Sequence, residues 1–418
     1  MNQCVFAPID SLLKDCVDGE RGHFIRSQLV LGSLRVNLVR TMRCKNDPEF
    51  GEVQRAMRDT ESDSPVPAKF VDGLREVSSE DVAADPAWLF APIAVLSQRE
   101  RDALNYAQLL RFAKYFNLPL VRWRRELAGA SKSMPEEDAE ELYQEEVSNC
   151  SIWDYFVQGA PVMLTENQNP SRGLANSSAA ILDSLGWERS GQVPEALREA
   201  RGFRIVELDE PPAFVNVAVG GRQWHGTALP DFSHVLDTDD DGAQVVPIFP
   251  SRNMQSSSVH GIYAAQKNYA KVYWKSFPIQ PAFAMTDFKL QGRTLSKLVI
   301  SSSVKSWSRP AMDLISFYVM ISRVTTSDGL RVLSKDKLGG TKIKQLRWPK
   351  ELYSWERSFD SAGRFSVDLC KKAAGEKAIL DARSKTKANP SKANPSKPKP
   401  KPKSKSGSSK KGPMLPPP

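Results

Sequence analysis

The sequence has few residues of the types that build metal centres and disulfide frameworks. Its 418 residues include five Cys and four His. The cysteines lie far apart without a Cys-x-x-Cys pair, and the histidines show no metal-ligand spacing. This set predicts reduced intracellular thiols rather than disulfides or a zinc site. We expect structural or surface roles for the histidines.

Long apolar runs are also missing. The longest, such as FAPIAVL at 90–96, is far short of the roughly 20 residues that a membrane helix needs. The first residues show no basic stretch followed by a long apolar one, so the sequence predicts no signal peptide. We therefore expect an intracellular protein without a membrane partner.

Acidic residues are absent from the last part of the chain. Residues 382–418 contain 11 Lys and Arg and no Asp or Glu, which leaves −2 of the net charge of +9 for residues 1–381. Net charge therefore gives no reason to regard the folded part as a basic surface. The Lys-Pro repeats predict a disordered tail. Two roles stay open for it: a solubilising linker, or nuclear import or DNA tethering, which would make the protein nuclear.

A phosphate-binding loop is missing as well. The pattern G-x-x-x-x-G-K-[ST] does not occur, and its nearest approach, Lys132-Ser133, follows a serine instead of the second glycine. Residues 136–146 hold seven carboxylates. They could form a metal site, but a solvated helix face is the simpler interpretation.

The patterns that are present predict an α/β protein with a β-rich insertion. Residues 24–59 have helical spacing. A strand at 89–96, a helix at 97–116 and a strand at 118–123 predict a βαβ unit in a parallel sheet. From 152 to 277, short β-type runs alternate with turn residues and predict a small barrel. Helical periodicity returns at 291–298 and 310–323, and a last helix is predicted at 365–382.

Two segments carry more specific information. AFAMTDFKLQGRTLSKLVI (282–300) and MDLISFYVMISRVTTSDGLRVL (312–333) resemble motifs V and VI of superfamily-1 DNA helicases of the petite-integration-frequency and RecD type. The matching residues are Thr286, Lys289, Gln291, Gly292 and Thr294 in the first, and Tyr318, Val319, Ser322, Arg323, Gly329 and Leu330 in the second.

Two further stretches resemble the same family. In residues 36–58 the positions Leu38, Met42, Arg43, Asp47 and Phe50 match a family element, and residues 159–178 are similar to the segment that opens an inserted SH3-like barrel. The chain also departs from the family pattern. Phe288 replaces a histidine, Leu290 stands where serine is frequent, and Asn176-Ser177 replaces an Asn-Gly turn. Asn105 matches a family asparagine without a clear role.

The resemblance implies a RecA-like second lobe of the P-loop-NTPase type, a parallel sheet flanked by helices, with an inserted SH3-like β-barrel and a disordered tail. The expected domains are a helical lead-in at 1–35, the lobe at 36–151 and 278–345, the barrel at 152–277, a helical segment at 346–381 and the tail at 382–418.

The resemblance also implies site residues. Arg43 and Arg323 occupy the two arginine-finger positions, which stabilise charge on a transferred phosphoryl group. Gln291 and Gly292 are associated with the nucleotide. The residues expected at single-stranded DNA are Thr286, Phe288, Lys289 and Thr294. ATP and Mg²⁺ are the cofactors implied by the family.

The first RecA-like lobe, with its phosphate-binding and magnesium-binding motifs, is missing from the sequence. We therefore expect no significant ATP hydrolysis by the chain alone. Three interpretations stay open. The chain is the C-terminal part of a helicase, or a non-catalytic module that binds single-stranded DNA or a protein, or a lobe that supplies its arginines to a separate chain carrying the first lobe.

Overall fold

Four short parallel strands form the sheet on which the rest of the lobe is built. The structure, a computed structural model, describes residues 43–375 apart from 60–64, 146–149, 151, 173, 190–192, 220–222, 225–226, 229–243, 258–270, 302–311 and 335–339. The predictions for the lead-in at 1–35 and the tail at 382–418 lie outside these residues. The chain divides into two compact units, one of residues 36–349 and one of 1–35 with 350–418.

The helices are short except for one of 18 residues. They are α1 (Pro48–Ala56), α2 (Ala68–Gly73), α3 (Ser79–Ala84), α4 (Gln98–Tyr115), α5 (Glu136–Glu145), α6 (Glu195–Arg198), α7 (Asp287–Leu290), α8 (Leu314–Ile321), α9 (Gly340–Lys344) and α10 (Lys350–Glu356).

The strands fall into a parallel group and several antiparallel groups. They are β1 (Ile93–Val95), β2 (Leu120–Arg124), β3 (Glu126–Leu127), β4 (Trp153–Phe156), β5 (Pro161–Leu164), β6 (Ala179–Gly186), β7 (Ile205–Leu208), β8 (Phe214–Val219), β9 (Gln223–Trp224), β10 (Thr227–Ala228), β11 (Gln244–Ile248), β12 (Gln255–Ser257), β13 (Val272–Lys275), β14 (Ile279–Pro281), β15 (Ala284–Thr286), β16 (Leu298–Ile300) and β17 (Leu330–Val332).

The parallel sheet has the order β15-β1-β16-β17. Ile93 pairs with both Ala284 and Val299, and β16 pairs with β17 in the same direction. All residues of these strands are buried, as expected for parallel strands covered on both faces. The predicted α/β class, a parallel sheet with flanking helices, is confirmed.

Helix α4 begins at a clear capping signal and covers part of this sheet. The Ser97 hydroxyl accepts a hydrogen bond from the Glu100 N–H at 3.2 Å, which satisfies one of the free donors of the first turn. Leu109 and Ala113 are fully buried. The helix predicted at 97–116 is therefore confirmed, and so is the one predicted at 310–323, of which α8 forms residues 314–321.

One predicted pairing and one predicted element are wrong. The strand expected at 118–123 forms as β2, but it pairs antiparallel with β4 and parallel with β7, so it does not continue the sheet of β1. The apolar run that suggested a βαβ unit is equally compatible with a buried antiparallel strand. Residues 291–298 contain no helix. The apolar run LVI at 298–300 forms the buried strand β16 instead, because a short apolar run is compatible with a strand as well as with a helix.

The β-rich region contains a five-stranded antiparallel sheet, β11-β8-β6-β5-β14, together with the three-stranded sheets β12-β13-β3 and β4-β2-β7. The strands predicted from APVML, FRIVEL, AFVNVAV, QVVPIF and AKVYWKSF all form, as β5, β7, β8, β11 and β13. Their core includes Trp123, Val162, Val217 and Phe277. Because β2 and β3 belong to it, the β-rich region draws on residues from 120 onward.

The acidic run forms helix α5 with its apolar residues Leu142 and Tyr143 buried. Glu140 pairs with Arg124 at 2.5 Å, so this face does include a paired carboxylate. Among the described residues, no group of three or more His, Cys, Asp or Glu side chains is placed to hold a metal ion. No helix within the described ranges is long and apolar enough to cross a membrane.

The unit that contains the C-terminal residues has a small aromatic cluster. The Trp355 ring centroid lies 5.2 Å from Phe359 and 5.4 Å from Phe365. Residues 367–375 are helical, which confirms the described part of the helix predicted at 365–382.

Asn105 braces the parallel sheet. It is fully buried on α4; its side-chain oxygen accepts from the Ala284 N–H at 2.7 Å, and its amide donates to the Ala284 C=O at 3.3 Å. Ala284 begins β15 at the edge of the sheet. A side-chain amide both donates and accepts, so it can satisfy the backbone N–H and the C=O of the same residue, which gives Asn105 a structural role.

Asn105→Ala should lower the free energy of unfolding by about 2–4 kcal/mol, because it leaves two buried backbone groups of β15 without partners. Urea unfolding followed by circular dichroism measures this. Gln98→Ala, on the exposed first turn of the same helix, is the control and should change stability by less than about 0.5 kcal/mol. Equal effects of the two substitutions would contradict the bracing role.

Candidate functional site

The segment that resembles motif V leaves the sheet at the carboxyl end of β15. Thr286 ends that strand opposite Val95 and is buried. Helix α7 follows, then Gly292 turns the chain with φ of +79°, a conformation that glycine adopts at little cost. Carboxyl ends of parallel strands are where open α/β sheets bind ligands.

Asp287 fixes the start of α7. One of its carboxylate oxygens accepts from the Ser316 hydroxyl of α8 at 2.7 Å, and the other accepts from the Phe288 N–H at 2.9 Å. Leu290 is fully buried in the core under the sheet. With both flanking residues anchored, the Phe288 ring projects outward and is 78% exposed.

Lys289 and Arg293 bind the turn between β5 and β6. The Lys289 ammonium donates to Asn176 Oδ1 at 2.5 Å and to Ser177 Oγ at 3.0 Å. The Arg293 guanidinium donates to the Ser177 C=O at 2.5 Å and to the Lys289 C=O at 3.0 Å. The five residues Asn176, Ser177, Phe288, Lys289 and Arg293 are called the α7 cluster below.

The two cations of the α7 cluster have only neutral partners. Desolvation, together with the positive charges of Arg101 and Arg293, lowers the pKa of Lys289. Desolvation also lowers the pKa of Arg293, which is only 9% exposed. Among the described residues no carboxylate pairs with either cation, although Arg101 pairs with Asp102 at 2.7 Å. Buried cations without a counter-ion are costly, so this arrangement favours an incoming anion.

The Asn176-Ser177 turn places a serine in a backbone conformation that glycine usually occupies. Ser177 has φ of +77°, in the left-handed region that favours glycine and costs other residues roughly 1–2 kcal/mol. Strain of this kind persists where surrounding contacts fix the backbone. Here the contacts come from Arg293 and from the Ser177 N–H, which donates to the Leu164 C=O at 2.8 Å.

The two arginine-finger candidates lie together at the end of α8. Arg43 Nη1 donates to the Ser322 C=O at 2.8 Å. Arg323 Nε donates to the Val319 C=O at 2.8 Å, and its Nη2 to the Ser322 hydroxyl at 2.7 Å. Carbonyls of a last helical turn lack partners within the helix and carry partial negative charge. They therefore hold both guanidinium groups at one place, which we call the α8 arginine pair.

The two guanidinium groups of the α8 arginine pair are half-buried, and their positive charges repel each other. Desolvation, and next the charge of Arg43, lowers the pKa of Arg323. Within the described part of the chain, neither arginine has a carboxylate partner. Helix-end carbonyls offset only part of the cost, since a helix terminus carries about half an elementary charge. A phosphate group would complete this arrangement.

Asp47 ties the segment of Arg43 to the motif VI turn. One carboxylate oxygen accepts from the Phe50 N–H at 2.9 Å and so caps α1; the other accepts from Ser327 N–H at 2.8 Å and Ser327 Oγ at 2.7 Å. Phe50 is buried in the core. These contacts give a physical reason for the spacing of Arg43, Asp47 and Phe50.

Position 329 requires glycine because the backbone of Ser296 lies close to it. A Cβ at this position would lie 2.5 Å from the Ser296 C=O, a distance that no side chain tolerates. The short turn Ser327–Gly329 can therefore pack against the loop before β16 only with glycine at its end.

The structure places the predicted site residues in two groups. Thr286, Phe288 and Lys289 lie at the carboxyl end of β15. Arg43 and Arg323 lie at the other end of the sheet, where the Leu295 N–H donates to the Arg323 C=O at 2.9 Å before β16 begins. Gln291, Gly292 and Thr294 are exposed on the loop between the two groups, and Thr294 directly precedes the Leu295 contact.

Four further residues of the site were not predicted: Arg293, Ser177, Asp47 and Ser327. The sequence marked Asp47 as a matching position without a role, and nothing in it identifies Arg293 as a buried cation. Their roles depend on contacts between segments more than 100 residues apart, which no local pattern reports.

No protein-family model matches the sequence, and no curated protein matches it. Among solved structures, the chain is similar to the Pif1 helicase from Candida albicans, with a TM-score of 0.44, 17% identity, and coverage of 76% of this chain and 59% of that chain. The chain is also similar to the Bacteroides Pif1 bound to ssDNA, with a TM-score of 0.43, 15% identity, and coverage of 83% of this chain and 65% of that chain.

A third similar structure is the Pif1 helicase from Bacteroides in complex with ADP-AlF3 and ssDNA, with a TM-score of 0.41, 17% identity, and coverage of 82% of this chain and 61% of that chain. The chain thus spans 59 to 65% of the length of these structures.

Asp47→Ala should destabilise the lobe by about 1–2 kcal/mol through loss of the helix cap, whereas Asp47→Asn, an equally good cap, should cost less. Burial raises the pKa of Asp47, but the hydrogen bonds from Ser327 and Phe50 outweigh it and lower the net pKa. The stabilisation is therefore present above the unfolded pKa of about 3.9 and lost as the pH falls through the lower folded value. Unfolding of the three proteins across pH 2–7 checks this, and an unchanged acid dependence in Asp47→Asn would contradict it.

Proposed function

We propose that the chain is the second motor lobe of an ATP-dependent superfamily-1 DNA helicase, RecA-like and carrying an inserted SH3-like barrel. The observation that carries this proposal is the pair of cation groups at motif V and motif VI. Both groups are partly buried and lack carboxylate partners among the described residues, and they lie at opposite ends of one parallel sheet.

In this proposal the α8 arginine pair serves the nucleotide. Two guanidinium groups held side by side fit the phosphate oxygens of ATP, because each presents a planar fork of donors. Both would stabilise negative charge that develops as the terminal phosphoryl group leaves. Mg²⁺ needs oxygen ligands, and the α8 arginine pair offers none, so its ligands would belong to the first lobe.

The α7 cluster serves single-stranded DNA. Lys289 would exchange its contacts with Asn176 and Ser177 for a backbone phosphate, whose charge relieves the repulsion from Arg101 and Arg293. Phe288 offers an exposed ring on which a base can stack. The position where the family has histidine is thus occupied by a side chain that keeps a stacking surface. Thr286 and Thr294 add hydroxyl groups on either side of this cluster.

The two groups are mechanically linked. Asp287 contacts Ser316 at the start of α8, and Arg323 lies just past its end. The motif V loop returns across the sheet and ends at the hydrogen bond between Leu295 and Arg323. A shift of α8 on nucleotide binding would therefore reach α7 through direct contacts, which is the coupling that a DNA motor requires.

The alternative function is a non-catalytic module that binds single-stranded DNA or a partner. It is favoured by one observation: every residue of the α7 cluster comes from this chain and is anchored by contacts within the chain. Both functions predict DNA binding, and they differ in whether the α8 arginine pair acts on ATP held by a first lobe.

Lys289→Ala should weaken binding to a fluorescein-labelled oligodeoxythymidylate and lower the salt slope of log K by about 0.7, the value of one single-strand phosphate contact. Phe288→Ala should weaken binding by about 1–3 kcal/mol without changing the slope. Fluorescence anisotropy across salt concentrations measures both. Lys69→Ala, an exposed lysine of α2, is the matched control. If Lys69→Ala lowers the affinity and the salt slope as much as Lys289→Ala does, the proposed contact between Lys289 and a phosphate is wrong.

The purified chain should release no phosphate from ATP above background, with or without oligonucleotide, because it carries no phosphate-binding loop. Tripolyphosphate should nevertheless raise the thermal midpoint of the wild type by mass action and should do so less for Arg43→Ala and Arg323→Ala. Differential scanning fluorimetry tests this. An equal shift in the variants would reject the arginine pair as a phosphate site, and DNA-stimulated hydrolysis that Arg323→Ala abolishes would reject the predicted inactivity.

A further inference from the structure

An exposed cluster of aromatic rings lies at the far end of α4 from the α7 cluster. The Phe90 ring centroid is 5.1 Å from Phe112, 5.8 Å from Tyr115 and 6.1 Å from Phe116. Phe112 and Phe116 are 4.6 Å apart, and Tyr115 and Phe116 are 4.9 Å apart. These four residues, together with Phe203, form what we call the α4 aromatic patch.

The patch is rigid at its base and open at its rim. Phe90 and Phe112 both contact Phe283, which is fully buried beside β15. By contrast, Tyr115 is 61% exposed and Phe116 is 49% exposed. Tyr115 contacts Phe90 and Phe116 edge-to-face, a geometry that aromatic pairs prefer, so the two exposed rings are supported by neighbouring rings.

A second segment is fastened to the patch. Asn117 has φ of +53°, and its side-chain oxygen accepts from the Phe203 N–H at 2.9 Å. The Leu120 N–H donates to the Arg204 C=O at 2.8 Å. Phe203 and Arg204 are thus held beside the end of α4.

The charges around the patch are positive. Arg111, Lys114 and Arg204 are exposed, and Lys114 Nζ lies 5.4 Å from the Phe203 ring centroid. Within the described residues no carboxylate pairs with any of the three, whereas nearby Glu207 pairs with Arg122 at 2.6 Å. Exposed aromatic rings interleaved with unpaired cations suit a ligand that has both flat apolar faces and a negatively charged backbone.

We propose that the α4 aromatic patch is a second binding surface for single-stranded nucleic acid. Bases stack on Tyr115 and Phe116, while Arg111, Lys114 and Arg204 face the phosphates. A protein partner would have to present an acidic surface that complements these cations, whereas single-stranded nucleic acid brings flat bases and phosphates together. Helix α4 has 18 residues and is about 27 Å long, so this surface is separate from the α7 cluster near Arg101. It does not depend on the proposed helicase function.

The test is a photo-crosslinking and binding experiment with the full chain and an oligodeoxythymidylate of about 30 nucleotides, longer than one typical single-strand site. The tandem variant Tyr115→Ala, Phe116→Ala should weaken binding by about five- to 150-fold for each base that stacks. Crosslinks to the peptide of residues 112–122 should disappear, while those to 282–293 persist. Tyr115→Trp, which keeps a stacking face, should retain binding.

The controls separate this surface from the α7 cluster and from folding. Phe249→Ala removes another exposed phenylalanine, 59% exposed and outside the patch, and should leave affinity unchanged. In a Lys289→Ala background the remaining binding should be lost on adding the patch substitutions. If Lys289→Ala alone does not weaken binding, the proposed DNA contact of the α7 cluster is rejected, but the proposed binding at the α4 aromatic patch is not.

Three results would overturn the proposal. The first is unchanged affinity and crosslinking in the tandem variant while its thermal midpoint matches the wild type. The second is an equal loss of affinity in Phe249→Ala. The third is a dimer in solution that the patch substitutions dissociate, since the surface would then be covered by a second copy of the chain.

Discussion

The structure depends on the parallel pairing of β1 between β15 and β16. These strands are about 190 residues apart along the chain, with the whole β-rich region between them. Parallel strands need a crossover connection, and here one of the crossovers contains a domain-sized insertion. The pairing, braced by Asn105 against Ala284, fixes where the motif V segment leaves the sheet. The α7 cluster follows directly from the end of β15, and the same segment continues to the contact between Leu295 and Arg323 of the α8 arginine pair.

The second constraint is that the four cations of the two groups are held by neutral partners among the described residues, which leaves their positive charge uncompensated there. Within the part of the chain that the structure describes, four cations are anchored by carbonyl, amide and hydroxyl groups instead of carboxylates: Arg43, Arg323, Lys289 and Arg293. A carboxylate partner would stabilise each cation but would also compete with an incoming phosphate. Neutral acceptors orient the cation and leave its charge available, at a cost in stability that the surrounding core has to offset.

The α7 cluster also connects the lobe to the β-rich region. The strained Ser177 turn receives both Lys289 and Arg293, so the inserted strands help to orient the motif V cations. If DNA displaces Lys289 from this turn, Arg293 still holds the two parts together. The insertion therefore contributes to the site itself, beyond any contacts of its own with a ligand.

The sequence by itself determined the α/β class, the helices α4 and α8, the β-rich middle region and the segments that carry the site, because hydrophobic period and turn residues act locally. It predicted β2 correctly as a strand but assigned it to the wrong sheet, and it predicted a helix in the residues before β16. A short apolar run fits a parallel strand, an antiparallel strand or a helix equally well. Only the tertiary structure decided that the site residues divide between two ends of the sheet. It alone revealed Arg293 as a buried cation and Asn105 as a brace, because both roles arise from contacts between distant segments, which local sequence does not encode.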